Sequence, residues 1–529
     1  MVGFFVLEPT AVHCQSSLGF IHLEFYESPG DLLEELCCLK SLLLLKVIMI
    51  IIEICKIVIV GKAKLKGKHL LDLGYEDGKI VGIALNAAQR NYKSKSREYK
   101  LGMLKEVLNN PEKYSEDDAF WRVAKELLAA KEAVREQLDF QLRVQLPEYP
   151  VYGRDNIDEG ALHQMNQAMK LPVSVAGALM PDAHHGYGLP IGGVLATKNV
   201  VIPYGVGVDI GCRMCLSVFD MKPEALERQK DHLKTVLVEN TRFGNKHVFD
   251  KKLPNEVLER DEFVTIPYVK TLRSKAAHQI GTSGGGNHFV EFGVVEITDA
   301  HNEFNLPMGK YVGLLSHSGS RGLGANIARF YTKMAQDTCK LPEGARHLSW
   351  LDLSTEGGQE YWQAMNLAGD YASACHHQIH DRIARHLGQR SVGRVENHHN
   401  FAWKEPDALG NELIVHRKGA TPAGKGVLGI IPGSMTAPGF IVRGKGSNES
   451  LNSASHGAGR VMSRTKAKAS IEPKRMKDAL KANKVTLIGG GTDEAPMAYK
   501  NIHQVMSYQT DLVEVLGTFT PKIVRMDGK

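Results

Sequence analysis

Glycine-rich loops that also carry histidine, cysteine, asparagine or aspartate recur along this chain and limit the folds it can adopt. Three of them are Gly205–Cys212, Gly281–His288 and His317–Gly322. Glycine allows sharp turns and close approach of the backbone to a ligand. The 52 glycines of the 529 residues cluster in such loops, which indicates ligand-binding loops rather than a flexible linker.

Between these loops, short apolar runs alternate with helical patterns. Strands are predicted at the apolar runs Ile191–Ala196, Val200–Ile202 and Phe289–Phe292. Helices are predicted by apolar spacing at Ala325–Asp337 and Glu360–Leu387. Because no internal repeat or low-complexity linker follows residue 64, we expect one large mixed α/β domain over residues 61–529, with long functional loops.

Residues 1–60 lack this patterning and are predicted to be an atypical apolar extension, with the native start near Met49 as an alternative. The run Leu42–Val60 is apolar, but Lys46, Glu53 and Lys56 interrupt it. Each of these charges would cost about 2.5–3.5 kcal/mol at the centre of a bilayer, so we expect no membrane span. The extension also lacks the features of a signal peptide.

The eight cysteines have no regular spacing, and four of them precede residue 56. A disulfide framework is therefore not expected, and a reducing cytoplasm is the predicted location. From Arg417 to Lys484 there are fourteen Lys or Arg against three acids. This segment predicts either a solvated basic face or a surface for phosphates.

Several of the loops carry side chains of the types that commonly bind metals. Asp209 and Cys212 are three residues apart between glycines, and histidines stand in three further loops as His288, His317 and His399. Neutral imidazole, thiolate and carboxylate together form a plausible ligand set for divalent ions, and two ions sharing Cys212 are feasible. Ligand softness alone would favour zinc over manganese, so the ion's identity stays open.

A second group of loops is suited to a nucleotide. Backbone N–H groups of Ile431–Met435 and Ser455–Arg460 can face phosphate oxygens. His456 stands between small residues, where a phosphate can reach its ring, and an imidazole nitrogen is a competent nucleophile toward phosphorus. Tight structural turns are the alternative interpretation of both loops.

In their order along the chain, these motifs resemble those of the RtcB RNA ligases. The matching motifs are Asp209/Cys212, Asn287/His288, His317, His399/Asn400, Pro432–Met435 and His456–Arg460. The resemblance extends from about Lys64 to the C-terminus and includes the run Gly490–Lys500. It implies the single-domain α/β fold of that family.

The resemblance also implies the residues of the site. Manganese, with two ions expected, would be bound by Asp209, Cys212, His288, His317 and His399. GTP would be bound by Asn287, His288, Phe289, Val290, Glu291, His399, Asn400, Pro432, Gly433, Ser434, Met435, Gly439, His456, Gly457, Ala458, Gly459 and Lys500. His456 would be the catalytic residue that becomes guanylated.

The implied reaction joins an RNA 3′-phosphate or 2′,3′-cyclic phosphate end to a 5′-hydroxyl end, in RNA repair or tRNA splicing. Its partners would be GTP and RNA, as tRNA halves or cleaved RNA, held by basic residues of 417–484. An archease-type activator is a candidate partner.

Two positions depart from the family's pattern. Arg213 follows Cys212 where a glycine is expected, and it would either contact a substrate phosphate or repel a second ion. Gly439 stands where a serine is expected near the guanine nucleotide, which would remove one hydrogen bond.

Two other functions compete with the ligase. A metal-dependent phosphoesterase or nuclease would use water as nucleophile and would not need GTP. A non-catalytic RNA-binding component would tolerate loss of the metal ligands, whereas every expected ligand is present here.

Overall fold

A computed structural model describes residues 6–8, 11–16, 19–24, 65–244, 247–251 and 253–528. The chain divides into two compact units, Met1–Glu136 and Gln137–Lys529. The apolar run Leu42–Val60 of the predicted extension lies outside the described residues, so a domain boundary at residue 60 stays a prediction. Within the described part of the chain, no helix is long and apolar enough to cross a membrane.

The first unit contains a small antiparallel sheet and a group of helices. Its strands are β1 (Val6–Glu8), β2 (Ala11–Ser16) and β3 (Gly19–Glu24), paired in that order. Its helices are α1 (Gly67–Leu71), α2 (Lys79–Asn91), α3 (Arg97–Asn109) and α4 (Trp121–Asp139). Leu70, Leu104 and Phe120 are completely buried between the helices, which is the main source of helix stability in a short bundle.

The described residues of the second unit form sixteen strands. They are β4 (Ser174–Tyr187), β5 (Leu189–Thr197), β6 (Val200–Val201), β7 (Arg213–Phe219), β8 (Phe289–Ile297), β9 (Gly309–Ser318), β10 (Leu351–Asp352), β11 (Ser391–His398), β12 (Asn400–Pro406), β13 (Glu412–Lys418), β14 (Ala420–Pro422), β15 (Leu428–Ile431), β16 (Gly439–Gly444), β17 (Ser453–Ser455), β18 (Thr486–Ile488) and β19 (Val513–Met526).

Eleven α-helices accompany the strands in the part of this unit that the structure describes. They are α5 (Glu159–Met169), α6 (Pro203–Val206), α7 (Ala225–Arg228), α8 (Lys230–Asn240), α9 (Glu262–Thr265), α10 (Pro267–Gln279), α11 (Arg321–Thr338), α12 (Glu356–Leu387), α13 (Arg464–Ser470), α14 (Pro473–Ala482) and α15 (Ile502–Ser507). The strands predicted in β5 and β8 and the helices predicted in α11 and α12 are confirmed, as is the mixed α/β fold.

The largest sheet has the strand order β11-β7-β9-β8-β19-β16-β15, and β18 pairs in parallel with β19. Its two edges meet at the side chain of Asn397 on β11, whose Oδ1 accepts the backbone N–H of Ile430 on β15 at 2.9 Å. The sheet is therefore nearly closed into a barrel. Leu216, Leu315 and Phe519 fill its interior.

The second sheet is antiparallel, with the order β12-β13-β5-β4. Its edge strand β4 is irregular: Leu179 pairs with Gly193, but the next pair joins His184 to Ile191. Four residues of β4 thus oppose one residue of β5, Gly192, whose φ of +86° and close approach to Ala183 suit glycine alone. This bulge interrupts the strand's alternation and so changes the direction of the Asp182 side chain.

Candidate active site

Four loops and strand ends of the second unit bring the five predicted metal ligands together. Asp209 and Cys212 lie between α6 and β7, His288 precedes β8, His317 lies on β9, and His399 joins β11 to β12. The Sγ of Cys212 is 3.3 Å from Nε2 of His288 and 3.2 Å from Nε2 of His317. The Nε2 atoms of His317 and His399 are 3.2 Å apart, and Asp209 Oδ2 is 3.0 Å from His288 Nε2.

The protonation of this cluster suits a cation. The Nδ1 of His317 faces the carbonyl oxygen of Asn287 at 3.1 Å, so it must donate a proton there and leave the lone pair of Nε2 directed at the cluster. Burial lowers the pKa of His317 and of His399 well below the ordinary value, which keeps both rings neutral. Neutral imidazoles and a sulfur that converge at these distances match a divalent-metal site.

The two anionic ligands differ in their electrostatics. Burial raises the pKa of the Cys212 thiol well above its usual value, so binding a metal would release its proton. Burial also acts to raise the pKa of Asp209, but the hydrogen bond and charge of His288 outweigh it and leave the pKa below the ordinary value. The lowered pKa favours the ionised form of Asp209 at the cluster.

His456 lies beside this cluster, with its ring centroid 4.9 Å from that of His399. Its Nδ1 is 2.7 Å from Oδ2 of Asp182, a completely buried carboxylate in the bulge of β4. The same oxygen accepts the backbone N–H groups of His456 and Gly457 at 3.1 and 3.2 Å. Burial acts to raise the pKa of Asp182, but its interactions with His456, His184 and Lys500 outweigh burial and leave the pKa below the ordinary value. Nε2 of His456 makes no hydrogen bond with a described residue.

The backbone around His456 approaches that of β4 very closely. Gly459 has a φ of +73°, and a Cβ at this position would stand 2.1 Å from the carbonyl oxygen of Asp182. Only glycine fits such a contact. The Gly457–Gly459 turn is therefore required to place His456 over the carboxylate.

A cavity of about 280 Å³ opens beside His456 at one end of the barrel. Its wall includes most of the predicted nucleotide ligands, namely Asn287, Phe289, Glu291, His399, Pro432, Gly433, Ser434, Met435, Gly439, His456, Gly457, Ala458 and Gly459. Burial raises the pKa of Glu291 well above its ordinary value, and its carboxyl group has no hydrogen bond to a described residue. The cavity thus combines apolar walls with one unsatisfied carboxyl group, as small-molecule sites do.

Four predicted nucleotide ligands do not line this cavity. One of them, His288, lies in the cluster with Cys212 and Asp209. Val290 alternates with its neighbours on β8 and packs in the core on the opposite face of the strand. Asn400 supports the metal loop, since its Nδ2 donates to the Asp209 carbonyl at 3.2 Å. Lys500 donates to the carbonyl oxygen of Ala183 at 2.6 Å and so stabilises the bulge beside Asp182.

The two departures from the family pattern have structural explanations. Arg213 is buried, donates to the Gly369 carbonyl at 2.9 Å and lies 3.5 Å from the Glu396 carboxylate. Its charge is thus compensated on the side of β7 that faces α12, and neither a phosphate contact nor repulsion of an ion is needed to explain it. A Cβ on Gly439 would stand 3.2 Å from Cα of Pro432, so a serine there would need the loop to shift.

Sequence reasoning missed Asp182, Arg464 and Glu494. Arg464 forms a salt bridge with Glu494 and donates to Asn287 Oδ1 at 3.1 Å, and both charged residues line the cavity. The signals available were a proline, an acid and two histidines inside an apolar strand (Pro181–His185) and the acidic pair Asp493–Glu494 after a glycine run.

A second buried cluster lies between β7, β9 and α12. It consists of Cys215, His376 and His380. Ser316 Oγ lies 2.6 Å from Nδ1 of His376 and 2.7 Å from Nε2 of His380. The other ring nitrogens bond the Ser318 carbonyl and Ser217 Oγ. Because every ring nitrogen has a partner within the protein, this cluster is a complete hydrogen-bond network and needs no ion.

Comparison with known proteins agrees with this geometry. The family model described as tRNA-splicing ligase RtcB matches residues 164–266 and 262–527, so its match begins well after the start near Lys64 expected from the motifs. The RNA-splicing ligase RtcB of Escherichia coli K12 is 35% identical over 397 residues, which cover 68% of this chain and 93% of the relative.

Two further relatives are similar over comparable lengths. The tRNA-splicing ligase RtcB of Archaeoglobus fulgidus is 32% identical over 421 residues, covering 65% of this chain and 86% of the relative. The RNA-splicing ligase RtcB of Mycobacterium bovis is 29% identical over 417 residues, covering 65% and 95%. With the family model matched over more than half of its length, this chain belongs to the RtcB family.

Proposed function

We propose that this protein is an RNA ligase that joins RNA 3′-phosphate or 2′,3′-cyclic phosphate ends to 5′-hydroxyl ends, using GTP, manganese and a guanylated His456. The names of the relatives, RNA-splicing and tRNA-splicing ligases, support RNA as the substrate. One observation carries the proposal: Asp182 engages Nδ1 of His456 at 2.7 Å and leaves Nε2 without a partner at the cavity.

This arrangement prepares His456 to act as a nucleophile. A carboxylate accepts but does not donate, so Nδ1 carries the ring proton and Nε2 keeps its lone pair. Nε2 would form a bond with the α-phosphorus of GTP while the bond to the pyrophosphate oxygen breaks. Positive charge that develops on the ring would be stabilised by Asp182, which stays ionised because its pKa is lowered.

The five predicted ligands would hold manganese at the cluster. Cys212, which is within 3.3 Å of two imidazole nitrogens, would be shared between ions, with Asp209 as the second anionic ligand. When bound, divalent ions neutralise charge on phosphate oxygens. The protein's own contribution is to keep His317 and His399 neutral through burial and to orient His317 through the Asn287 carbonyl.

The cavity would hold the guanosine part of GTP. Phe289, Met435 and Phe519 offer apolar surface to a purine ring, and Glu291 offers its carboxyl group. The N1–H and 2-amino groups of guanine are adjacent donors, and adenine lacks both. Their hydrogen bonds would favour the ionised form of the Glu291 carboxyl group, which would accept both donors together. The backbone N–H groups of Pro432–Met435 and of the loop around His456 would face the phosphates.

The later steps would use the same site. GMP would pass from His456 to the RNA 3′-phosphate, forming a phosphoanhydride and freeing Nε2. The 5′-hydroxyl of the second RNA would then attack the activated phosphorus and displace GMP. A 2′,3′-cyclic phosphate would first be hydrolysed to the 3′-phosphate.

The test is covalent labelling of the full chain with α-³²P GTP and manganese, followed by a denaturing gel. We expect an acid-labile, alkali-stable band, as a phosphoramidate requires, and its loss in His456→Ala with unchanged thermal stability. The exposed His163→Ala provides a matched control that keeps the band. A labelled His456→Ala protein, or an unlabelled wild type with metal bound, would refute the proposal and favour the hydrolase.

A further inference from the structure

A groove of about 1160 Å³ lies on the far side of β19 from the cavity. Pro521 and Val524 of β19 line the cavity, whereas Lys522 and Ile523 line the groove. One wall is α14 and the other is the segment Pro223–Lys230. The floor is aliphatic, and five lysines against one glutamate make the lining basic.

The lysines are arranged in a row. Lys477 and Lys481 are one helical turn apart on α14, about 6 Å along the helix axis, and Lys484 follows just after the end of the helix. Lys522 faces them from β19, where a register shift between Pro521 and Ile523 leaves it without a partner on β8. Such a bulge re-aims a side chain, here into the groove.

These lysines differ from most other cations of the basic segment 417–484, whose charged groups contact other groups of the protein. Arg417 pairs with Glu405, Arg443 with Glu303, and Arg464 with Glu494. In contrast, none of Lys477, Lys481, Lys484 and Lys522 forms an ion pair with a described carboxylate. Lys477, Lys481 and Lys484 are exposed. Their positive charge is therefore available to a partner.

We infer that this groove binds a strand of the RNA substrate along its phosphate backbone. Regularly spaced, unpaired lysines are complementary to a polyanion and favour sequence-independent contact. No aromatic side chain among the described residues lines the groove to stack on bases, so its affinity depends on the backbone and not on base identity. The groove is also next to the reaction site, since Thr492 lines it while Glu494 lines the cavity.

The test removes the positive charges of three groove lysines in the full chain. The variant Lys477→Gln/Lys481→Gln/Lys484→Gln is compared with Lys198→Gln/Lys333→Gln/Lys340→Gln, which removes the same charge from exposed positions outside the groove. Binding of a labelled oligouridylate of about 12 nucleotides with a 5′-hydroxyl and a 3′-phosphate is measured by fluorescence anisotropy over a range of salt concentrations. An oligoadenylate of equal length tests independence from the bases.

We expect the groove variant to bind at least about tenfold more weakly at low salt, with a slope of log K against log salt smaller by about 2, because each phosphate contact to a single strand contributes about 0.7. The control should bind as the wild type does. Equal affinities and slopes for the two variants would overturn the inference and leave an acidic protein segment as the fitting partner. A preference of more than tenfold for one oligonucleotide would overturn it as well.

The inference rests on the proposed ligase function, and labelling of His456 separates the two. The groove variant should label with GTP at the wild-type rate, because none of its three lysines lines the cavity. Normal labelling with unchanged RNA binding refutes the groove alone. Absence of labelling in the wild type refutes the ligase function whatever the RNA affinity.

Discussion

Replacement of Asp182 by asparagine tests whether the buried carboxylate prepares His456 for attack. In the folded protein a single oxygen, Oδ2, accepts the Nδ1–H of His456 and the backbone N–H groups of His456 and Gly457. The other oxygen is buried and has no described partner. Asparagine has nearly the same shape and keeps an acceptor at the position of Oδ2. The substitution therefore removes the charge and places an amide NH2 group at the position of the buried Oδ1, which is why the fold of the variant is checked as well.

The expected effect follows from the distance. Two unit charges 2.7 Å apart interact by about 6 kcal/mol at an effective dielectric constant of about 20. If the transition state for guanylation places about half a positive charge on the imidazole, the lost stabilisation is about 3 kcal/mol. At 1.36 kcal/mol per factor of ten, guanylation should slow by about 100-fold.

The rate is measured in a single turnover with α-³²P GTP and saturating manganese, so that product release does not contribute. Asp155→Asn, an exposed aspartate of the same unit, is the matched control and should label at the wild-type rate. Thermal unfolding of both variants tests the fold. A correctly folded Asp182→Asn protein that labels as fast as the wild type would show that the carboxylate does not stabilise charge on His456.

Two further perturbations address the metal cluster and pH. Cys212→Ala should lose manganese and guanylation together while Cys215→Ala keeps both, and unchanged metal content of Cys212→Ala by elemental analysis would contradict a shared thiolate. His416 is fully buried, and burial lowers its pKa to about 4, whereas the pKa in an unfolded chain is about 6.5. Between these pH values the unfolded state therefore binds a proton that the folded state does not. The stability that His416 contributes is present above about pH 6.5 and is lost as the pH falls toward 4. The free energy of unfolding is measured with urea in the presence of a chelator. Between about pH 7.5 and about pH 5 it should fall by about 2 kcal/mol less in His416→Gln than in the wild type. Equal decreases in the two proteins would refute the reasoning.

The convergence of the candidate metal ligands was predictable from sequence because its signals are local. Histidine, cysteine and aspartate framed by glycines indicate ligands wherever the loops lie, and the fold needs only to bring the loops to one end of the barrel. His317 and Asn287 illustrate the limit of this reasoning. Their contact sets the ring's tautomer, and it depends on the pairing of β8 with β9, which residue types do not reveal.

The contribution of individual residues within a motif was less predictable. Phe289, Val290 and Glu291 were expected to bind the nucleotide together, yet the two-residue period of β8 sends Val290 into the core. Similarly, the basic segment 417–484 predicted a phosphate surface, but Arg417 is completely buried against Glu405. Net charge along a segment does not distinguish paired from unpaired cations, so only the structure identifies the lysines that remain available.

Two side chains that sequence reasoning did not assign have a common physical origin. Asp182 directly follows Pro181, and Lys522 directly follows Pro521. Each pair lies within a strand at a register shift, because proline lacks the N–H that a regular ladder requires. Residues at each shift are released from the alternation of the strand. In β4 Asp182 places its carboxylate against His456, and in β19 Lys522 places its ammonium group at the groove. A proline inside an apolar run, followed by a charged residue, is therefore the sequence signal that would have located both positions. Replacement of either proline should change the direction of the charged side chain that follows it and leave the rest of the strand paired.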